Sequence, residues 1–155
     1  MSEINDDVYR QRIEEVYDGT LGGHVRHNLD HYLNFLDGFS HGRIDYEARK
    51  REQLIESSSA YAIDVIEGIV DRLEKIAEEE ADKTILVKME SDNESVRWAE
   101  SSALRELEFL LSHTIHHYAL LSVMVRLSGI DLDPDFGVAP STLRYRHSQS
   151  RLQSS

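Results

Sequence analysis

The chain has 155 residues, no cysteine, two prolines and a formal charge of −12 from 17 basic and 29 acidic residues. Disulfides and thiolate metal sites are excluded, and this much negative charge disfavours binding to a phosphate backbone. A hydrophobic fraction of 40% beside 30% charged residues suits a single globular domain with a core of its own.

The first residues, Met-Ser-Glu-Ile-Asn-Asp-Asp, lack the basic start and apolar stretch of a signal peptide. No apolar run approaches the roughly 20 residues needed to span a bilayer. The expectation is a cytoplasmic protein that engages neither membrane nor nucleic acid. Residues 4 to 17 carry a loose helical pattern of Ile4, Val8, Ile13, Val16 and Tyr17. Asp18-Gly19 ends it, and Thr20 is placed to cap the next helix. From 21 to 40 the pattern is regular: Leu21, Val25, Leu29, Tyr32, Leu36 and Phe39 form a stripe at three- and four-residue spacing. His24, His27 and His31 lie along its border, with His24 and His31 nearer the stripe than His27.

Residues 42 to 54 are polar and read as a connection. Ser57 to Ser59 offer caps for a third helix, whose apolar face is Ala62, Val65, Ile66, Ile69, Val70, Leu73 and Ile76. Residues 84 to 98 read as two short strands about a Ser-Asp-Asn-Glu turn. A long helix follows over 104 to 127, capped by Ser101 or Ser102 and ended by Gly129. Residues 131 to 155 read as mostly irregular, with 136 to 143 packing back on the helices and the last residues, 147 to 155, a disordered tail. The expected domain is 1 to 146, a mainly helical bundle with a small β-hairpin before its last long helix.

Four histidine pairs stand at helix-neighbour spacing: 24/27, 27/31, 113/116 and 113/117. A lone histidine on an apolar face is usually a satisfied core residue. Here, however, His113 and His117 share one core-facing strip of the long helix, and a second cluster occupies another helix. Buried imidazoles need partners, and a divalent metal such as zinc, nickel or iron satisfies several at once. Two ligands from one helix and one from another suit a bundle core. Periodicity alone favours His24 or His31 as the third. Three protein ligands leave a position for water or substrate, as catalytic sites do. Glu106 shares the face of His113, so a supporting role is open to it, although helix surface is the simpler reading. His41 and His147 read as exposed.

The motifs Thr20-Leu-Gly-Gly-His24-Val-Arg-His27-Asn-Leu-Asp-His31 and Ser112-His113-Thr-Ile-His-His117-Tyr118 resemble those of the DinB-like family of metal-binding four-helix bundles. The Phe-Gly-Val-Ala-Pro-Ser-Thr-Leu-Arg-Tyr-Arg segment from Phe136 resembles the tail of one subgroup. The resemblance implies an up-down four-helix-type bundle that often dimerises. It implies a divalent metal on His27, His113 and His117, with His24 and His31 in reserve. Related branches are thiol-dependent transferases and isomerases and iron-dependent sulfoxide synthases, so the resemblance implies a metal-dependent transferase or hydrolase. Its substrate would be a small molecule, with a low-molecular-weight thiol as cosubstrate and His24, His31 or Glu106 as candidate catalytic residues. Only 26 residues precede His27, so the 4 to 17 pattern serves as the family's first helix or a partner completes the bundle. Two rival readings use the same residues: a metal that merely staples two helices, and a metal-free dimerisation module.

Overall fold

The structure is a computed structural model that describes residues 4–48, 50–76, 80, 82–88 and 97–153. Its central helix, α2, spans Leu21–Phe39 and starts where the sequence predicts, with the Thr20 hydroxyl accepting from the Gly23 amide at 2.9 Å. Two further helices pack on it: α4, Ser59–Leu73, and α5, Ala103–Leu127. Ser58 caps α4 and Ser102 caps α5, each through its hydroxyl. Gly129 follows α5 at φ +76, the left-handed conformation that glycine adopts without cost at a helix end.

Ahead of α2 lies less helix than the 4–17 pattern suggested. Helix α1 covers only Asp6–Arg10, capped by Asn5, and strands β1 (Arg12–Ile13) and β2 (Gly19–Thr20) pair antiparallel after it. Their turn holds Tyr17 and Asp18 at φ +53 and +51. That chemistry favours a tight hairpin and interrupts any longer helix. Ile13 and Val16 are nevertheless buried, so the apolar residues of this stretch enter the core from strand and turn. Short helix α3, Gln53–Ser57, follows the connection and lies against the start of α2. Gly22 permits the approach, because a Cβ there would sit 2.0 Å from the Glu56 carbonyl oxygen.

The predicted hairpin is present but displaced. Strand β4, Thr84–Lys88, pairs antiparallel with β5, Ala99–Ser102, in the register Ile85↔Ser101. Arg97 and Trp98 precede the second strand, and the predicted turn at 91–94 lies outside the described residues. A third strand, β3 (Arg43–Asp45), runs parallel to β4 within the segment that read as a connection. One fully buried residue, Ile44, between Arg43 and Asp45 provides too short an alternation to announce a strand. Residues that read as irregular near the carboxyl end form α6, Pro140–Gln153, with proline in the first turn, where its missing N–H is not needed. As expected, the preceding segment folds back: Phe136 stacks on Tyr118 at 5.7 Å, and Gly137 abuts Ser122 and the Tyr118 carbonyl.

The core joins Phe35, Leu36 and Phe39 of α2 to Leu110, Met124 and Val125 of α5, with Ile44, Tyr46, Ile55 and Ile85 closing it. The molecule is thus mainly helical with two small sheets. Helix α4 is buried only at Ala62 and Ile69, while Ile63, Ile66 and Val70 of the same helix stay 55%, 40% and 44% exposed. Among the described residues no helix is long and apolar enough to cross a membrane.

Candidate metal centre

The α2–α5 interface carries the histidines. On α2, His24, His27 and His31 occupy successive turns; on α5, His113 and His117 face them. The rings of His27 and His113 are 5.2 Å apart between centroids, His27 and His117 4.9 Å, and His113 and His117 4.5 Å. His31 is closer still to His113, at 4.3 Å, and lies 4.7 Å from His27. One ring nitrogen from each of His27, His31 and His113 falls within 4.8 Å of the other two. His24 approaches from the next turn, its Nδ1 3.3 Å from Nδ1 of His117. The structure therefore brings together the whole expected triad and both reserves. His116, whose ring is 5.3 Å from that of His117, is exposed on the rim. His41 and His147 are exposed and remote in the chain, as their positions suggested.

Several contacts orient these rings. Nδ1–H of His31 donates to the His27 carbonyl at 2.8 Å, so in the neutral ring the lone pair is on Nε2. The opposed Nδ1 atoms of His24 and His117 require that one donate to the other. If His117 donates, its Nε2 is the basic nitrogen. Burial, followed by the neighbouring histidines His113, His27, His24 and His116, drives the His117 imidazole down to about 3. The His24 value is lowered too, by burial first and His116 second. Both rings are consequently neutral at physiological pH, the form that ligates metals.

Below the cluster, Tyr46 stacks on His31 at 5.6 Å and donates its phenol hydrogen to Glu106 at 2.9 Å. Ser101 donates to the other Glu106 oxygen at 2.6 Å. Glu106 is 4% exposed, which corrects the simpler reading that left it on the helix surface. Burial, compounded by Glu106, holds the Tyr46 phenol far above its ordinary value, so it remains a donor. Tyr46 was invisible to sequence reasoning. It sits in a polar stretch, and its partners lie 15 and 60 residues away. The nearby Tyr32 hydroxyl bonds Thr114 Oγ1 at 2.7 Å and ties α2 to α5 beside the rings. On the opposite flank, Arg26 bridges the buried Asp30 and Glu56 at 3.0 and 2.8 Å, tying α2 to α3.

The cluster opens into a cleft of about 560 Å³ whose wall includes Arg12, Tyr17, His24, His27, His113 and His117. Imidazoles converging from two helices, with the His27 carbonyl fixing the outer nitrogen of His31 and an open side, fit a divalent metal. The fold and this cluster define a helical protein with a histidine-lined, metal-capable centre. The DinB family profile matches residues 1–135, and the chain belongs to the DinB family. The match includes the short amino-terminal elements and stops before the Phe136 tail. No curated protein and no solved structure matches the chain.

Proposed function

We propose that the protein is a metal-dependent enzyme, a transferase or hydrolase acting on a small molecule, with the ion held by His27, His113 and His117. The observation that carries this reading is the convergence of imidazoles from α2 and α5 at the floor of an open cleft. A bound zinc, nickel or iron ion would lower the pKa of a coordinated water or low-molecular-weight thiol and so supply the nucleophile. The protein's part is to present neutral nitrogens, exclude water behind them and admit the substrate in front. Phe109 covers the rings on one side, 6.1 Å from His31 and 5.8 Å from His113 between centroids. Of the three candidate proton carriers, His24 is the best placed, because it lines the cleft. The Nδ1 proton of His31 is committed to a backbone carbonyl, and Glu106 is engaged by two hydroxyls.

The family's up-down bundle would be completed by a second copy of the chain. In support, α1 has only five residues, and a groove of about 250 Å³ lies open between α4 and α5, with Val25, Leu29, Ile66, Val70 and Leu121 in its wall. Ile63, Ile66, Val70 and Leu73 follow the 3-4-3 spacing of a helix-packing seam. Light scattering at micromolar concentration should give twice the chain mass, and a monomer would remove the dimer from this reading.

Elemental analysis of tag-free protein purified without chelators tests the metal. About one ion per chain, lost in both His113→Ala and His117→Ala, is the expected result. A wild type that holds no metal after loading and desalting would overturn it.

A further inference from the structure

The histidine cluster has two more rings than a three-ligand centre uses, His24 and His31, and His31 is not on its edge. His31 is 8% exposed, its ring is nearer to His113 than that of His27 is, and its nitrogen belongs to the tightest group of three in the molecule's described part. Resting on the metal reading above, we infer that His31 is a fourth ligand to the same ion. Two i,i+4 pairs, His27/His31 on α2 and His113/His117 on α5, then close on it from facing helices.

Three observations support this assignment. Five of the six ring pairs among these four histidines lie 4.3–5.2 Å apart between centroids. Rings that share one ion at metal–nitrogen distances near 2.0–2.1 Å have centroids about 5 Å apart in a tetrahedral set. Next, the His31 Nδ1–H bond to the His27 carbonyl fixes the tautomer that presents Nε2, as outer hydrogen bonds do for ligating histidines. Finally, the ring is held in place by Tyr46, itself fixed by Glu106, at 5.6 Å with 29° between planes.

The fourth ligand bears on which ion can do chemistry here. Four imidazoles complete the shell of tetrahedral zinc, the closed arrangement of structural sites. A position for substrate then requires an ion with five or six ligands, which iron and nickel take readily and zinc reaches by expanding its shell.

The test is titration of metal-free protein with cobalt(II), followed by calorimetry and visible absorption, in wild type, His31→Ala, His31→Phe and His24→Ala. Circular dichroism checks that each variant is folded. We expect one cobalt per chain in wild type and more than about a 100-fold rise in Kd with an altered cobalt spectrum in both His31 variants. Losing an outer partner costs roughly 10–100-fold, and His24→Ala should fall in that range with the wild-type spectrum kept. His31 variants that bind with wild-type affinity and spectrum would overturn the fourth ligand while leaving the metal reading intact. Weakening in His31→Ala but not in His31→Phe would assign His31 to packing and likewise overturn it. Wild type that binds no cobalt would overturn the metal reading itself.

Discussion

The two long helices packed on α2 treat it differently. Toward α5 the interface adds polar groups to the apolar core of Phe35, Leu110 and Met124: histidines from both helices and the Tyr32–Thr114 bond, with the Glu106–Tyr46–Ser101 group beneath His31. Toward α4 it is apolar and incompletely covered, with Ile63, Ile66 and Val70 facing outward. Area alone would favour the second interface, since apolar burial contributes about 25 cal/mol per Å² whereas buried polar groups only offset their desolvation when fully bonded. Two of the imidazoles, His31 and His117, are 8% and 5% exposed, while Ile63 and Ile66 of α4 stay 55% and 40% exposed, so the burial of the cluster does not follow hydrophobicity and is supported by the aliphatic core around it. The lesson is that burial pattern and hydrophobic pattern need to be read separately.

Four perturbations sharpen the contrast. The largest is metal removal. An ion bound at 1,000 times its Kd stabilises the folded state by about 4 kcal/mol, so a chelator should lower the melting temperature of the loaded wild type. The His113→Ala variant should not respond, and an equal response in both would place the ion elsewhere. Next comes the pair Leu110→Ala and Ile66→Ala. Leu110 is fully buried and should cost about 2–5 kcal/mol in urea unfolding. Ile66, 40% exposed, should cost clearly less per chain. Equal losses would show that the α4 face is as well packed as the α5 face, and the comparison would fail.

Tyr46→Phe removes one donor from buried Glu106 and should cost about 1–3 kcal/mol. Its discriminating readout is cobalt affinity, which should weaken as well, because the ring on which His31 stacks loses its anchor. The smallest effect concerns Asp6, which accepts from the Ser59 amide and hydroxyl at 2.9 and 2.8 Å and fastens α1 to the start of α4. The Ser59 bonds, amide first, hold the Asp6 carboxyl below its ordinary value. Because the folded pKa is depressed, this contribution is present above the ordinary aspartate range and is lost as pH falls through it and the lowered folded value. Asp6→Asn should therefore flatten the acid limb of the stability profile below about pH 4. An unchanged acid limb would show that the contact contributes nothing in solution.

How much of this was legible beforehand follows the range of each interaction. Helices α2, α4 and α5 and their caps at Thr20, Ser58 and Ser102 rest on spacings of three and four, which one stretch of sequence displays. The crowding of histidines on two of them is equally local. Strand β3 and Tyr46 were hidden because their partners, Lys88 and Glu106, are tens of residues away and leave no periodic trace. Helix α6 has almost no apolar stripe, so its pattern resembled loop. Among the α2 histidines, periodicity ranked His24 and His31 above His27, and His31 is indeed the buried one of the three. What brings His27 within reach of His113 and His117 is the position of α5, which no single-helix argument contains.

The two i,i+4 pairs are also complete within their own helices, and this bears on the order of assembly. On the four-ligand proposal, each could grip an ion before α2 and α5 have met, although the helices are separated by more than sixty residues of chain. Under scarce metal, an ion captured by one pair would then recruit the other and speed docking. Under excess, both pairs fill separately, two doubly charged halves repel each other, and refolding slows. The yield of native protein should therefore peak near one ion per chain and decline beyond it.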